Sequence, residues 1–321
     1  MVRGMKAISY SGYGGPEVLE YGDRPAPKIG PDAVLVKVRA AALNPVDWKA
    51  QAGHLDGMLD AVFPVIPGWD VSGVVVQPGV SVTEFAVGDE VMGYVREDFL
   101  SRGTFAEYVA APVRTLARKP RNMSFEESAA LPLAGLTAYQ ALHHALKVRE
   151  GETVLVHAAA GGVGSAAVQI ARHMGARVIG AAREAGQDRI RELGAEPVVY
   201  DEATFVDQVR ALAPDGVDAA LDTIGGFYLK LTPELLAPEG RLASVADGEV
   251  IGLGGRYYWV RPDAEDLTAL ARLAEEGALT VRVARTYPLE ETAQAQRAHA
   301  EGGLNGKVVV TVPWTDPGEP D

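Results

Sequence analysis

The pattern of hydrophobic and polar positions changes near residue 128. Before that point, short runs of β-branched residues are separated by glycine and proline, and these runs predict strands at residues 34–38, 71–76, 90–95 and 105–110. Short strands broken by frequent turn residues are typical of an irregular β domain.

Beyond residue 128, strand-like segments alternate with helix-like ones. The predicted strands cover residues 154–156, 178–180, 198–200, 219–222 and 242–245. The predicted helices cover residues 165–174, 187–193, 204–212 and 228–236. This alternation predicts a parallel, doubly wound sheet, so we expect an α/β fold class.

The C-terminal part of the chain shows a third pattern. A charged, amphipathic helix is predicted at residues 264–276, and a polar connector leads to a second helix at residues 289–300. A last strand follows at residues 307–312. The tail at residues 313–321 is rich in proline and acidic residues, and we expect it to be loose.

The segment with the clearest chemistry is residues 153–164, where a β-branched strand leads through a glycine-rich turn into a helix. Gly161 lets the backbone approach a pyrophosphate, Gly164 lets the helix pack closely on the strand, and the helix N-terminus offers unpaired N–H groups. We therefore expect a nicotinamide or flavin nucleotide here. Ala159 replaces the first glycine of the usual motif, so an Ala- and Gly-rich helix start without a ligand remains the alternative.

Composition narrows the possible partners. The net charge of −13 repels phosphate backbones, so we expect no nucleic-acid partner. The chain has no run of about 18 apolar residues. Its first residues lack the apolar core of a signal peptide, so we expect a cytoplasmic protein without membrane contact.

Metal binding is also disfavoured by composition. The chain has no cysteine, which excludes disulfides and thiolate ligands, and none of its six histidines forms an H-x-x-x-H pair. We therefore expect no structural or catalytic metal site.

Seven ordered motifs give the chain a specific resemblance over nearly its whole length. They are residues 12–19, 42–47, 67–75, 87–91, 103–108, 158–164 and 221–226. The chain resembles the zinc-independent quinone oxidoreductase branch of the medium-chain dehydrogenase/reductase superfamily. The resemblance implies a GroES-like β domain at residues 1–127, completed by residues 264–321, and a Rossmann NADP(H)-binding domain at residues 128–263. It also implies a homodimer.

The resemblance explains the missing metal ligands. In zinc-containing relatives, a Cys and a His hold the catalytic metal at the positions that look like Asn44 and Trp69 here. Neither residue is an ordinary zinc ligand, so the mechanism in which zinc acts as a Lewis acid is not expected.

Cofactor choice depends on the end of the second Rossmann strand. An NAD site places an acidic residue about 20 residues beyond the glycines, and that carboxylate would repel a 2′-phosphate. Here the corresponding residue looks like Ala182 and is followed by Arg183, which favours NADP(H). The alternative for Arg183 is a solvated arginine paired with Glu184. The residues expected to contact the cofactor are Ala160, Gly161, Gly162, Val163, Gly164, Arg183, Tyr200, Thr223, Ile224, Ser244 and Val245.

Substrate contacts are implied mainly by the resemblance. Asn44 resembles the family's polar residue near the nicotinamide and the substrate carbonyl, although an Asn before a proline is also a common turn residue. Trp48, Trp69 and Tyr94 are expected to line an apolar slot for a planar acceptor, with core packing as the alternative.

Several polar residues have two possible roles. Asp47 is expected to anchor its loop, and Asp222 either acts as an acid or caps a turn. The proton donor is not evident, with His54 either replacing the usual tyrosine or simply exposed. Lys307 either reaches a phosphate or is solvated, and we expect a solvated lysine.

These observations predict an NADPH-dependent, zinc-free oxidoreductase that transfers hydride to a small-molecule quinone or α,β-unsaturated carbonyl. An enoyl-thioester or polyketide-tailoring reductase is the alternative enzyme. A nucleotide-sensing interaction protein that has lost turnover is the alternative without catalysis.

Overall fold

The computed structural model describes residues 4–313, which fall into two compact units. The first unit contains the residues up to Leu133, the segment Pro262–Glu275 and the residues from Val281 onward. The second unit contains Ala134–Arg261 and Glu276–Thr280. The predicted loose tail lies outside the described residues except for its first position.

Short strands dominate the N-terminal part of the first unit, as the turn-rich pattern predicts. Its elements are β1 (Gly4–Ser9), β2 (Glu20–Pro25), β3 (Ala33–Ala42), α1 (Pro45–Gln51), β4 (Asp60–Ile66), β5 (Asp70–Pro78), β6 (Glu90–Tyr94), β7 (Phe99–Arg102), β8 (Tyr108–Pro112), β9 (Leu116–Arg118) and α2 (Phe125–Ala130). Ser124 and Glu127 form a capping box that begins α2.

The next part of the chain alternates helices and strands. Its elements are α3 (Pro132–Gln140), which continues as a π-helical turn (Ala141–Leu146), then β10 (Thr153–Val156), α4 (Gly162–His173), β11 (Arg177–Ala182), α5 (Gln187–Glu192), β12 (Glu196–Val199), α6 (Phe205–Leu212), β13 (Val217–Asp222), α7 (Gly226–Leu231), β14 (Leu236–Ser244) and β15 (Arg256–Tyr257).

The C-terminal part returns to the first unit. Its elements are α8 (Ala264–Glu275), β16 (Val283–Pro288), α9 (Thr292–Glu301) and β17 (Lys307–Thr311). Strand β17 pairs antiparallel with β3, with Val310 opposite Ala41. The last strand within residues 4–313 is therefore built into the same sheet as β3.

The main sheet of the first unit has seven strands in the order β16-β17-β3-β5-β6-β9, with β8 paired to β3. Its core consists of inward-facing aliphatic side chains from these strands, including Val36, Val71, Val91 and Val308. Burial of this apolar surface is the main stabilising contribution to the unit.

The sheet of the second unit has six parallel strands in the order β12-β11-β10-β13-β14-β15. Numbered within the sheet, this is the 3-2-1-4-5-6 order of a nucleotide-binding Rossmann fold. The strand order reverses between β10 and β13, so ligands are expected outside the carboxyl ends of β10, β11, β13 and β14. The predicted GroES-like and Rossmann architectures are both confirmed.

Some predicted elements are wrong in type or extent. The strand predicted at residues 105–110 is β8 at Tyr108–Pro112, and Ala106 makes only an isolated bridge to Ala7. The helix predicted at residues 228–236 ends at Leu231, because Pro233 has no N–H and a 3-10 turn takes over. The segment predicted as a polar connector contains strand β16. This strand pairs with β17, which lies on the far side of α9 in the sequence, so the connector itself gives no sign of the pairing.

The unit boundaries differ slightly from the predicted ones. Residues 128–133 belong to the first unit, where the Leu133 N–H donates to Asp70 at 2.8 Å. Residues 276–280 belong to the second, where Thr280 donates to the side-chain oxygen of Gln169. Long-range hydrogen bonds of this kind leave no local sequence signal. Among residues 4–313, no helix is long and apolar enough to span a membrane.

Candidate active site

The glycine-rich turn lies at the carboxyl end of β10. Strand β10 ends at Val156, and α4 begins at Gly162, so the first N–H groups of a twelve-residue helix point out of the sheet edge. A Cβ on Gly164 would lie 2.2 Å from the carbonyl oxygen of Ala158, and therefore only glycine permits this approach of helix and turn. The turn at residues 157–161 and the first N–H groups of α4 together form a cradle that fits a dinucleotide pyrophosphate.

A buried chain of hydrogen bonds through Tyr200, His157 and Thr232, here called the relay, supports this turn. The Tyr200 hydroxyl accepts a hydrogen bond of 2.7 Å from the N–H of Ala158, which has the unusual φ of 46°. The same hydroxyl lies 3.2 Å from Nδ1 of His157, whose Nε2 lies 3.0 Å from the Thr232 hydroxyl. Because Thr232 donates to Tyr228, His157 must carry its proton on Nε2 and accept from Tyr200.

This relay gives Tyr200 a role that sequence reasoning did not find. The ring packs against Tyr228, with centroids 4.2 Å apart, and burial raises the pKa of its hydroxyl. Burial also lowers the pKa of His157 to about 4, so this imidazole stays neutral at physiological pH. The predicted contact of Tyr200 with the ribose stays a prediction.

The end of β11 lies beside the turn. The N–H of Ala159 donates to the carbonyl of Ala181, and a Cβ on Gly186 would meet the methyl groups of Ala160 and Ala182 at 2.9 and 3.0 Å. Arg183 follows on the surface, and its guanidinium makes no hydrogen bond or ion pair within residues 4–313. It is therefore available to an anion.

Two further strand ends complete this edge. Asp222 accepts hydrogen bonds from the N–H of Gly225 and from the Ser244 hydroxyl, and Val245 donates to the carbonyl of Asp222. Thr223 donates to the carbonyl of His157 at 2.9 Å, which ties this turn to the glycine-rich one. Ile224 is 43% exposed.

The turn-capping interpretation of Asp222 is therefore confirmed. The predicted cofactor residues, Tyr200 apart, line one continuous edge of the sheet, with Ala160, Gly161, Gly162, Val163 and Gly164 on the turn and helix start.

In the first unit, Asn44 belongs to a buried polar cluster. Its side-chain nitrogen donates to Asp70 at 2.9 Å, and its side-chain oxygen accepts from the ammonium of Lys307. Lys307 also donates to the carbonyl of Leu43 at 2.9 Å and lies 3.9 Å from Asp70. Because an ammonium only donates and a carboxylate only accepts, these partners determine the orientation of the Asn44 amide.

The environment shifts the charges of this cluster. Burial raises the pKa of Asp70 to about 6, while the Lys307 ammonium and the Asn44 amide act in the opposite direction. Burial likewise lowers the pKa of Lys307, while the nearby carboxyl groups of Asp70 and Asp47 act to raise it. The prediction of a solvated Lys307 is wrong, because β17 places this side chain inside the unit, and its contacts are to Asn44, Leu43 and Asp70 rather than to a phosphate site.

A pocket opens next to this cluster within the first unit. Asp47 and Trp69 line it together with Tyr10, Glu97 and Phe99, among other residues. The ring of Tyr94 lies edge-on to Trp69, with centroids 6.0 Å apart. The structure thus brings Trp69 to a pocket wall and Tyr94 directly behind it.

Other predicted substrate residues lie elsewhere on the first unit. Trp48 is half-buried on α1, with the Lys49 ammonium 5.7 Å from its ring, and it does not line the pocket. His54 is exposed in the loop after α1. Asp47 accepts from the N–H of Asn44 at 2.7 Å, which confirms that it anchors its loop.

Sequence reasoning missed Asp70 and Glu97. The signal for Asp70 was present, because a lone carboxylate begins an otherwise mostly apolar strand. Glu97 follows β6 in an ordinary polar loop and had no comparable signal.

Two family models match the chain. The alcohol dehydrogenase GroES-like domain matches residues 30–121, and the zinc-binding dehydrogenase domain matches residues 193–310. The chain is 38% identical to 2-methylene-furan-3-one reductase from Solanum lycopersicum, over 95% of this chain and 79% of that protein.

Two solved structures are similar over nearly the full length. The quinone oxidoreductase from Coxiella burnetii is 33% identical with a TM-score of 0.85, covering 97% of this chain and 100% of that one. An NAD-dependent alcohol dehydrogenase is 36% identical with a TM-score of 0.86, covering 96% of this chain and 100% of that one.

The fold and the nucleotide edge define an oxidoreductase that uses a nicotinamide dinucleotide. The chain belongs to the medium-chain dehydrogenase/reductase superfamily, in its quinone oxidoreductase branch. Within residues 4–313, no three His, Asp or Glu side chains are grouped as metal ligands would be.

Proposed function

We propose that this protein is an NADPH-dependent reductase of quinones and α,β-unsaturated carbonyls that works without zinc. The observation that carries the proposal is the glycine cradle at the start of α4. It lies on the same edge of the sheet as the end of β11, where Arg183 follows the strand. At the two positions that look like the zinc ligands of metal-containing relatives, this chain has Asn44 and Trp69. Asn44 accepts a hydrogen bond from Lys307, and Trp69 is buried.

The preference for NADPH rests on residues of this chain. An acidic side chain at the end of β11 would accept hydrogen bonds from the ribose hydroxyls of NADH and repel a 2′-phosphate. The corresponding side chain here is the methyl group of Ala182, and the guanidinium of Arg183 is unpaired among the described residues. A planar guanidinium suits multidentate contact with a phosphate.

The first prediction tests this contact. Arg183→Ala should raise the KM for NADPH by about ten- to hundredfold, since a charge-assisted hydrogen bond contributes roughly 1.5–3 kcal/mol. The KM for NADH should stay nearly constant, because NADH has no 2′-phosphate. Arg189→Ala, a change on the next helix, is the matched control. Steady-state kinetics with both cofactors decide the matter, and equal weakening of both would exclude Arg183 as the phosphate ligand.

The chemistry divides between cofactor and protein. When bound, the nicotinamide supplies a hydride, that is, one proton and two electrons, to the acceptor. The protein holds the pyrophosphate on the N–H groups of α4 and supports the turn through the Tyr200 hydroxyl. Orientation and exclusion of water contribute most of the rate enhancement.

The acceptor class rests on the pocket of the first unit and on the relatives. Trp69, Tyr10 and Phe99 give that pocket aromatic walls, which suit a flat conjugated molecule. One relative is named for a quinone, and the other for a furanone with a conjugated methylene group. Both names describe carbonyls whose π-system accepts hydride.

The second prediction tests the function itself. NADPH oxidation should be fast with 1,4-naphthoquinone or 2-cyclohexenone and slow with crotonyl-CoA, and dialysis against a strong chelator should leave the rates unchanged. A preference for crotonyl-CoA would favour the enoyl-thioester reductase instead. NADPH binding without turnover of any acceptor would favour the nucleotide-sensing protein, and loss of activity with removal of stoichiometric zinc would exclude the zinc-free mechanism.

We also propose a homodimer, as the family resemblance implies. Strand β15 is the end strand of the six-stranded sheet, and Tyr257 on it is 37% exposed. Ile251, in the turn before β15, is also exposed. Sedimentation equilibrium measures the state, and a monomer at micromolar concentration would contradict the proposal.

A further inference from the structure

Two carboxyl groups reach the pocket of the first unit, and one of them is buried. Asp47 on α1 is 5% exposed, whereas Glu97 is half-buried in the loop after β6. One oxygen of Asp47 accepts from the Asn44 N–H at 2.7 Å. Its other oxygen receives no hydrogen bond from residues 4–313, and Asp47 lines the pocket.

The charges around Asp47 are unbalanced. The cluster contains one buried ammonium, that of Lys307, and two buried carboxyl groups, those of Asp47 and Asp70. Lys307 lies 3.9 Å from Asp70, and its other hydrogen bonds go to neutral oxygens of Leu43 and Asn44. One cation compensates one carboxylate, and an uncompensated buried carboxylate is costly.

The surroundings therefore favour a protonated Asp47. Burial raises its pKa to about 7, and the Asp70 charge adds to that effect, while the Asn44 N–H and Lys307 oppose it. The titratable groups that interact electrostatically with Asp47 are Tyr10, which follows β1, Asp70 on β5, Tyr94 on β6 and Lys307 on β17. Glu97 and the exposed Arg102, at the end of β7, line the same pocket. Lys307 is the buried cation among these groups.

We propose that Asp47 is the catalytic acid of the reductase, donating a proton from its free carboxyl oxygen to the acceptor in the adjoining pocket. This inference rests on the proposed function and names the proton donor that the sequence does not reveal. It gives the carboxyl group that anchors the loop a second, chemical role.

The proposed step balances atoms and charge. After hydride transfer, an enone has become an enolate, or a quinone a hydroquinone anion, with one added hydrogen and one negative charge. The O–H bond of Asp47 breaks, and a new bond forms between that proton and the anionic acceptor. Asp47 is left as a carboxylate, and a proton from water restores it before the next cycle.

The third prediction compares Asp47→Asn with Asp60→Asn, which makes the same change at an exposed carboxyl group on β4, outside the pocket lining. The amide oxygen introduced by Asp47→Asn can still accept from the Asn44 N–H, so the loop anchor is kept. With 2-cyclohexenone at pH 6, Asp47→Asn should lower the single-turnover rate by about 10²–10⁴-fold, the usual contribution of a positioned acid. Asp60→Asn should retain most of the rate.

The pH profile gives a second criterion. In the wild type, the rate should fall as pH rises through the pKa of Asp47 near 7, because only the protonated form donates. Asp47→Asn should lose this dependence, and Asp60→Asn should keep it. An Asp47→Asn variant that keeps both rate and dependence would overturn the proposal.

An infrared measurement tests the protonation state without turnover. The carbonyl-stretch band of a protonated carboxyl group should be present in the cofactor-free wild type at pH 6, remain in Asp60→Asn and diminish in Asp47→Asn. An unchanged band in Asp47→Asn overturns the protonated state. A wild type that reduces neither quinones nor enones would overturn the proposed function as a whole, whereas normal turnover by Asp47→Asn would overturn the acid alone.

Discussion

Replacing Lys307 with methionine should lower the free energy of unfolding by about 3–5 kcal/mol at pH 7, because removing one partner of a buried ion pair leaves the other uncompensated. Asp70 is fully buried and loses its one ion-pair partner among residues 4–313, and the side-chain oxygen of Asn44 loses the Lys307 donor. Chemical denaturation monitored by circular dichroism measures the effect.

The pH dependence of this variant has a definite sign. Without Lys307, the native state keeps Asp70 protonated, whereas the unfolded chain ionises it above about pH 4. The unfolded state is then favoured as pH rises, so the loss of stability should be small near pH 4 and greatest above pH 7.

The double variant Lys307→Met with Asp70→Asn is the matched control. It removes both charges, so it should recover a large part of the stability and lose the additional pH dependence. If Lys307→Met were as stable as the wild type at pH 8, the buried pair would be absent in solution.

Changing Gly161 to valine should weaken nucleotide binding in a protein that stays folded. Gly161 has an ordinary φ of −80°, and a Cβ there would lie 3.2 Å from the carbonyl of Ala158, so the turn can accept the side chain with a small shift. The branched methyl groups would occupy the space of the pyrophosphate. We expect affinity for NADPH to fall at least about tenfold, the equivalent of 1.4 kcal/mol.

Gly164→Ala is the contrasting variant. Its Cβ would lie 2.2 Å from the Ala158 carbonyl oxygen, against backbone that cannot move aside without separating α4 from the turn. This variant should therefore lose stability as well as binding, by roughly the 1–3 kcal/mol of an overpacked core or more. Thermal unfolding and fluorescence titration with NADPH separate the two effects, and a stable Gly164→Ala variant with normal affinity would refute the assigned cradle.

The sequence by itself determined the alternating part of the fold. Parallel strands are buried on both faces, so β10, β11 and β13 appear as short apolar runs, and the helices between them have their own spacing. The cradle was also readable, because Gly161 and Gly164 meet a backbone requirement that is local to one strand, one turn and one helix.

The hydrogen bond that supports the cradle, from the Ala158 N–H to the Tyr200 hydroxyl, could not be predicted from local sequence. Tyr200 lies 42 residues from Ala158, and its hydroxyl reaches that N–H only because β12, β11 and β10 are neighbours in the sheet. A tyrosine at a strand end has the same local pattern whether it contacts a ribose or the backbone behind the turn.

Only the tertiary structure decided the chemistry of the first unit. Lys307 is 263 residues from Asn44, and the pairing of β17 with β3 turns a lysine expected in solvent into the buried partner of Asn44 and Asp70. Burial, not residue type, raises the pKa of Asp47, because the penalty for an uncompensated charge depends on what surrounds the carboxyl group. Local sequence patterns specify backbone conformation, whereas the electrostatic environment of a side chain is the sum of contacts made across the whole folded unit.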